Sequence, residues 1–202
     1  MSKLELVLND IRNGKPIVIV DDKDREDEGD IMLAAEKANV DNLVFCMNNA
    51  RGLMCIPCCG TILDRLDIPP MVVDSTCKMQ TPFTVSIDAM EGISTGMSVY
   101  DRLKTISVIL NERSLPSDLA RPGHLFPLRP RKNLLKDRRG HTESSIELTR
   151  LAGLKPIAII VEIMNDDGTM TRGIKMQEYI RKHELNSISV EEIYDAVYNK
   201  SI

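Results

Sequence analysis

The chain has 202 residues, 43% of them hydrophobic and 28% charged, an ordinary globular balance that excludes disordered and fibrous classes. Lys and Arg number 26 against 30 Asp and Glu, so the formal charge is −4, which argues against a general nucleic-acid coat. No apolar run approaches the ~20 residues of a membrane span, and the charged N-terminus MSKLELVLNDIRNGK has no signal-peptide core. A cytoplasmic protein with no membrane and no nucleic-acid partner is expected.

In chain order, Leu4, Val7, Leu8 and Ile11 share one helical face, ended by Asn13-Gly14. Pro16–Val20 reads as a buried strand, residues 21–30 as a charged loop, and Ile31–Ala35 as a second strand. Val40, Leu43, Val44 and Met47 mark a helix, Leu53–Ile56 a short strand, and Ile62, Leu63 and Leu66 a short helix. Phe83–Asp88 alternates as a strand should, and residues 99–110 follow as a helix. Residues 114–133 hold four prolines and little periodicity, which predicts a long irregular segment. A helix ending at Gly153 precedes the most apolar strand, Pro156–Ile163. Asn165-Asp-Asp-Gly168 signals a turn, residues 175–183 a helix, and Ser189-x-x-Glu192 a capping box for the last helix. The sum is an α+β fold: a single domain over residues 1–202, with a mixed β-sheet and surrounding helices.

The five cysteines are an odd count in a chain large enough for its own core, which argues against a disulfide framework. Cys55-x-x-Cys58 has the spacing of a redox or zinc site but lacks the second ligand pair a structural zinc needs. Cys46 and Cys77 read as small buried hydrophobes. Cys55 stays open.

Three features carry chemistry. Seven of the ten residues of Asp21–Asp30 are acidic and follow a buried strand, where crowded carboxylates gain by sharing a hard divalent cation. A solvated charged loop is the alternative, and an EF-hand fails on register. Residues 129–139 hold six Arg or Lys and one Asp, and Arg138-Arg-Gly-His-Thr142 sits where a helix begins. Helix N-terminal amides, a hydroxyl and a guanidinium make a phosphate site, and His141 could reach a metal or a substrate oxygen. An RNA-binding patch is the rival reading, weakened by the absence of nearby aromatics for stacking. Lastly, Glu162 lies inside an apolar strand, where burial raises a carboxyl toward acid–base use; an outward-facing edge glutamate is the equal alternative. His124 lies in Arg121-Pro-Gly-His-Leu-Phe-Pro127, a segment stiffened by two prolines.

Asp24-Arg-Glu-Asp-Glu-Gly-Asp30, Pro122-Gly-His124 and Arg138-Arg-Gly-His-Thr-Glu143 together resemble the 3,4-dihydroxy-2-butanone 4-phosphate synthases of riboflavin biosynthesis. So do Ser94-Thr-Gly96, Asp101-Arg102, Leu151–Pro156 and Glu162–Gly168, in order over nearly the whole chain. The resemblance implies a lyase converting D-ribulose 5-phosphate to L-3,4-dihydroxy-2-butanone 4-phosphate and formate. It also implies Mg2+ or Mn2+, and a homodimer with sites at the subunit interface. By motif, Glu26 and His141 match metal ligands, and Arg25 and Asp30 match substrate contacts. Arg138, Arg139, Gly140, His141 and Thr142, with Thr95, match the phosphate grip. His124 and Glu162 match the acid–base residues, with Glu28 and Cys55 near the site. Asp27 stands where the family often has Asn, Pro82 where Gly is common, and Arg139 at a variable position. The chain lacks the zinc cysteines of a fused GTP cyclohydrolase II half, so the monofunctional form is expected.

Overall fold

The computed structural model describes residues 2–22 and 24–199. Its elements are α1 (Lys3–Arg12), β1 (Ile17–Val20), β2 (Gly29–Ala34), α2 (Val40–Ala50), β3 (Cys55–Pro57), α3 (Gly60–Arg65) and β4 (Ile87–Ala89). After these come α4 (Val99–Leu110), β5 (Leu119–Leu128), α5 (His141–Leu151), β6 (Ala158–Glu162), α6 (Gly173–Lys182), β7 (Ser187–Ser189) and α7 (Val190–Tyr198). The strands form one mixed sheet in the order β4-β5-β3-β6-β2-β1-β7, so the fold is α+β as the sequence indicates. β2 runs antiparallel to both β1 and β6, while β1 pairs parallel with β7 and β3 parallel with β5.

The central strands are apolar on both faces because both are covered by helices. Val18, Ile31, Leu33, Ile159 and Val161 face one layer with Leu43 and Cys46 of α2 and Ile106 of α4. Their neighbours Ile17, Ile19, Met32, Ala34, Ala158 and Ile160 face the other, with Val7, Leu8 and Ile11 of α1, Leu148 of α5 and Ile193 of α7. Each fully buried aliphatic side chain contributes about 1.5–3 kcal/mol. The alternation also has a topological effect: Asp30, Cys55 and Glu162 continue the second set, so they stand on the α1/α5/α7 face.

Several expectations need correction. Residues 114–133 are not irregular: they contain β5, which at ten residues is longer than any other described strand. Its prolines hid it, since proline cannot donate to a ladder. Pro122 lies beside a register shift between Ile87 and Asp88 of β4, and the Pro127 carbonyl accepts from the Thr84 N–H and hydroxyl. The expected strand Phe83–Asp88 shrinks to β4, with Phe83 and Thr84 making isolated bridges. β7 is a strand that the sequence pattern does not signal, and Asp30 belongs to β2 rather than to the acidic loop. Cys55 and Cys58 fall in the cores on opposite faces, so the CxxC spacing builds no common site. Cys46 is buried as expected, its thiol pushed up to about 12 by desolvation. Cys77 is not: it is half-buried, and the backbone N–H groups of Thr81 and Met79 hold its thiol below the ordinary value.

Candidate active site

β2 and β6 place Asp30 directly opposite Glu162 in the antiparallel register. Two carboxylates so paired repel, and Glu162 yields: burial first, then the Asp30 charge, raises its carboxyl above the ordinary 4.5. Glu162 Oε2 accepts the Leu53 N–H at 3.0 Å, and its carbonyl accepts the Gly52 N–H at 3.0 Å. Gly52 is required there. A Cβ would come within 2.5 Å of the Glu162 carbonyl oxygen and 2.7 Å of its Oε2.

α5 brings its N-terminus to the same place. Gly140 is its N-cap, no side chain caps it, and residues His141 to Thr149 are all buried. First-turn N–H groups without a cap are left for an anion. His141 Nδ1 lies 3.2 Å from Asp30 Oδ1, while its Nε2 is buried with no hydrogen-bond partner among the described residues. Burial pulls the imidazole down, but Asp30 and then Asp21 outweigh it and the net displacement is upward. That Asp30 oxygen also lacks a hydrogen-bond partner among the described residues, so the contact is ionic, and His141 Nε2 is left as an unpartnered ring nitrogen in the pocket.

The acidic loop closes the third side. The Arg25 guanidinium bonds Asp21 Oδ2 at 2.7 Å and Glu26 Oε1 at 3.0 Å, and the Glu26 N–H reaches the same Asp21 oxygen at 3.2 Å. Asp27 sits at φ +55, a left-handed conformation that Asp and Asn both tolerate, so the departure from Asn keeps the turn. Arg25, Glu26, Asp30, Cys55, Arg138, His141, Thr142 and Glu162 therefore line one pocket of about 50 Å³. Thr81 and Phe83 join it to a cavity of about 1060 Å³ bounded by Arg129 and Arg131. The small pocket has room for an ion and little else; any larger ligand needs the adjoining space.

Other expected residues lie elsewhere. Arg139 stacks over the Tyr194 ring at 4.0 Å and lines a different cavity. Glu28 pairs with Arg172 outside the small pocket's lining, but its charge still acts on Glu162, so it stays near the site as expected. His124 and Thr95 do not meet Glu162. His124 lines a separate cavity of about 290 Å³, which shares only Leu53 with the first pocket, and Thr95 is exposed on the loop before α4.

Three contributors escaped the sequence reading. Asp21 ties Arg25 to Glu26; its signal was its place in the acidic run. Glu143, fully buried, binds Arg138 at 2.7 Å and the Arg131 N–H at 3.1 Å; its signal was its position in the 138–143 motif. Asp88, beside His124, left no signal beyond strand alternation.

For a divalent cation, the donor set fits. The orphaned His141 Nε2 and the Glu26 carboxylate line one pocket. No cluster of three or more His, Cys, Asp or Glu gathers at ligating distance among the described residues. Two protein donors would leave the remaining positions of a six-coordinate hard ion such as Mg2+ to water or ligand oxygens.

Two central strands that set a raised carboxyl and a buried imidazole beside an uncapped helix N-terminus around one pocket define an enzyme that moves protons beside an anionic group. The family model for 3,4-dihydroxy-2-butanone 4-phosphate synthase matches residues 5–196, and the chain belongs to that family of riboflavin-biosynthesis lyases. The chain is similar to the synthase of Agrobacterium fabrum, 42% identical over 96% of this chain and 91% of that one. It is 43% identical to a chloroplastic monofunctional riboflavin biosynthesis protein of Arabidopsis thaliana, over 92% of this chain but only 40% of the plant protein. A solved 3,4-dihydroxy-2-butanone 4-phosphate synthase in complex with two magnesium ions superposes with a TM-score of 0.93 at 33% identity, covering 99% and 98% of the chains.

Proposed function

We propose that this chain, residues 1–202 acting as one domain, converts D-ribulose 5-phosphate to L-3,4-dihydroxy-2-butanone 4-phosphate and formate with bound Mg2+ or Mn2+. The observation that carries the reading is the meeting of Asp30, Glu162 and His141 at the uncapped N-terminus of α5. The reaction needs proton removal beside a ketone, loss of a hydroxyl, a carbon shift and cleavage of one carbon as formate. The α5 amides, Thr142 and Arg138 take the phosphate and so fix the reacting carbons. Glu26 and His141 Nε2 hold the ion, which polarises the ketone and a neighbouring hydroxyl. Asp30 keeps His141 in register, and Arg25 and Asp30 meet substrate hydroxyls. Glu162, its carboxyl raised above the ordinary value by burial and the Asp30 charge, accepts and returns a proton. Cys55 forms an apolar wall, since burial pushes its thiol far up.

His124 is the second acid–base residue. Because His124 and Thr95 lie away from Glu162, the reading includes a homodimer in which a second copy completes the pocket. No nucleic acid is needed: Arg129 pairs with Asp64, Arg138 with Glu143, and Lys136 and Arg139 cover tyrosine rings. No described helix is long and apolar enough to cross a membrane.

The test is carbon-13 NMR of the products from labelled D-ribulose 5-phosphate, with and without EDTA. One equivalent of labelled formate, abolished by chelator and restored by Mg2+, is expected. A product without formate overturns the reaction, and undiminished turnover in EDTA overturns the metal.

A further inference from the structure

The His124 ring is held from beneath by a carboxylate that lies outside the sequence motifs. Asp88, in β4 and buried, accepts the His124 backbone N–H at Oδ1 (3.0 Å) and lies 2.6 Å from the ring Nδ1 through Oδ2. Both carboxylate oxygens thus serve one residue. The nearby Arg102 guanidinium does not divert them: it donates to the Met97 carbonyl at 3.1 Å and to the sulfurs of Met54 and Met97. Gly96 covers the pair. It sits at φ +90, and a Cβ there would collide with both Asp88 Oδ2 and His124 Nδ1. Asp101, at the start of α4, holds that loop down by accepting from Ser94 N–H (3.0 Å), Ser94 hydroxyl (2.8 Å) and Gly96 N–H (3.1 Å).

From this geometry we infer that Asp88 is a positioning residue for His124: it fixes the neutral ring as the Nδ1–H tautomer with Nε2 as the working nitrogen. The inference rests on the proposed acid–base role of His124. A neutral imidazole has one donor and one acceptor nitrogen, and an anion at Nδ1 decides which is which. A proton arriving at Nε2 gives an imidazolium whose charge the Asp88 carboxylate balances, and departure of that proton restores the starting tautomer. The loop across the pair buries the Asp88 end of the bond, while the His124 ring stays 42% exposed and so presents its other nitrogen to the cavity. The double attachment also fixes the ring's place, because backbone and side chain hang from the same carboxylate.

Asp88→Asn separates this role from a merely structural one. Asn Oδ1 still accepts the His124 N–H, but its amide nitrogen donates to Nδ1 and forces the proton onto Nε2. The chain has three histidines, so ring nitrogen-15 NMR of the full-length protein resolves His124 with His124→Ala as the assignment control. The expected result is a switch of His124 to the Nε2–H tautomer and a kcat lower by about 100-fold or more, with KM within a few-fold. In a His124→Ala background Asp88→Asn should cost nothing further, since it acts only through the ring. Asp88→Asn with wild-type kcat and an unchanged tautomer overturns the inference, as does an equal loss in the His124→Ala background. If His124→Ala itself keeps wild-type kcat, the proposed role of His124 falls first and this inference with it. The two failures are therefore distinguishable.

Discussion

Replacing Gly52 with alanine tests how tightly the backbone grips Glu162. An ideal Cβ would stand 2.5 Å from the Glu162 carbonyl oxygen and 2.7 Å from both its Cβ and Oε2. Two of those atoms are backbone or next to it and cannot swing away. Reaching ordinary contact takes about 0.9 Å of separation. Ala50 on one side and Ile163 on the other are fully buried, so neither flank moves freely. The displacement falls on the Gly52 and Leu53 N–H bonds to Glu162. Overpacking costs about 1–3 kcal/mol, and weakening a neutral and a charge-assisted hydrogen bond adds to it. A total of about 2–5 kcal/mol lowers Tm by roughly 5–15 °C in a chain of this size. A carboxylate moved by about an ångström should lower kcat about 100-fold. KM should hold, because the α5 N-terminus is untouched. Calorimetry and steady-state kinetics on Gly52→Ala measure both. Gly168, at φ +83 with open space around its Cβ position, is the control: Gly168→Ala should cost only about 1–2 kcal/mol of backbone strain and leave kcat alone. A Gly52→Ala protein with wild-type Tm and kcat refutes the packing argument.

Glu162→Gln should lower kcat by about 10²–10⁴ with little change in affinity. Its stability signature has a definite sign. A carboxyl raised in the folded state makes folding less favourable as pH climbs above the ordinary 4.5, so the metal-free Gln variant should match wild type in acid and exceed it at higher pH; equal denaturation midpoints across the range would show that Glu162 is not perturbed. Arg138→Ala should raise KM and lower kcat for the phosphorylated substrate. It should also lower stability by about 3–5 kcal/mol, because it strands the fully buried Glu143. A binding loss with an unchanged midpoint would show that Glu143 is satisfied without it.

Elements whose apolar period matched their burial were legible. α1 and α4 came out nearly to the residue, because Val7, Leu8 and Ile11, or Ile106 and Ile109, point one way. The capping box at Ser189 and Glu192 formed as read, with Ser189 Oγ accepting the Glu192 N–H at 3.1 Å. β5 was not legible, since a strand that carries two prolines and borrows partners from both neighbours has no local signature. Within the site, Glu162 could be singled out but not placed: its face depends on register with β2, which is a long-range property. Arg139 illustrates the opposite failure. Its motif neighbours enter the pocket, but as an exposed residue it turned to the Tyr194 ring, which lies 55 positions further along. Asp88 was invisible because its partner, His124, lies on another strand.

Helix α5 has nine consecutive buried residues, His141 to Thr149, so it has no solvent side on which to roll. Its first turn is consequently anchored by the remaining two, and the anion-facing amides cannot drift toward or away from a substrate. Any opening and closing of the pocket must be performed by what borders α5: the 21–28 loop that carries Glu26, and the 67–86 segment that carries Thr81 and Phe83. Amide exchange in α5 should then follow global unfolding, while those two borders exchange through local opening. Change over evolutionary time is channelled the same way. Substitutions that alter which ligand fits can accumulate in the borders, whereas one in α5 tests the whole fold.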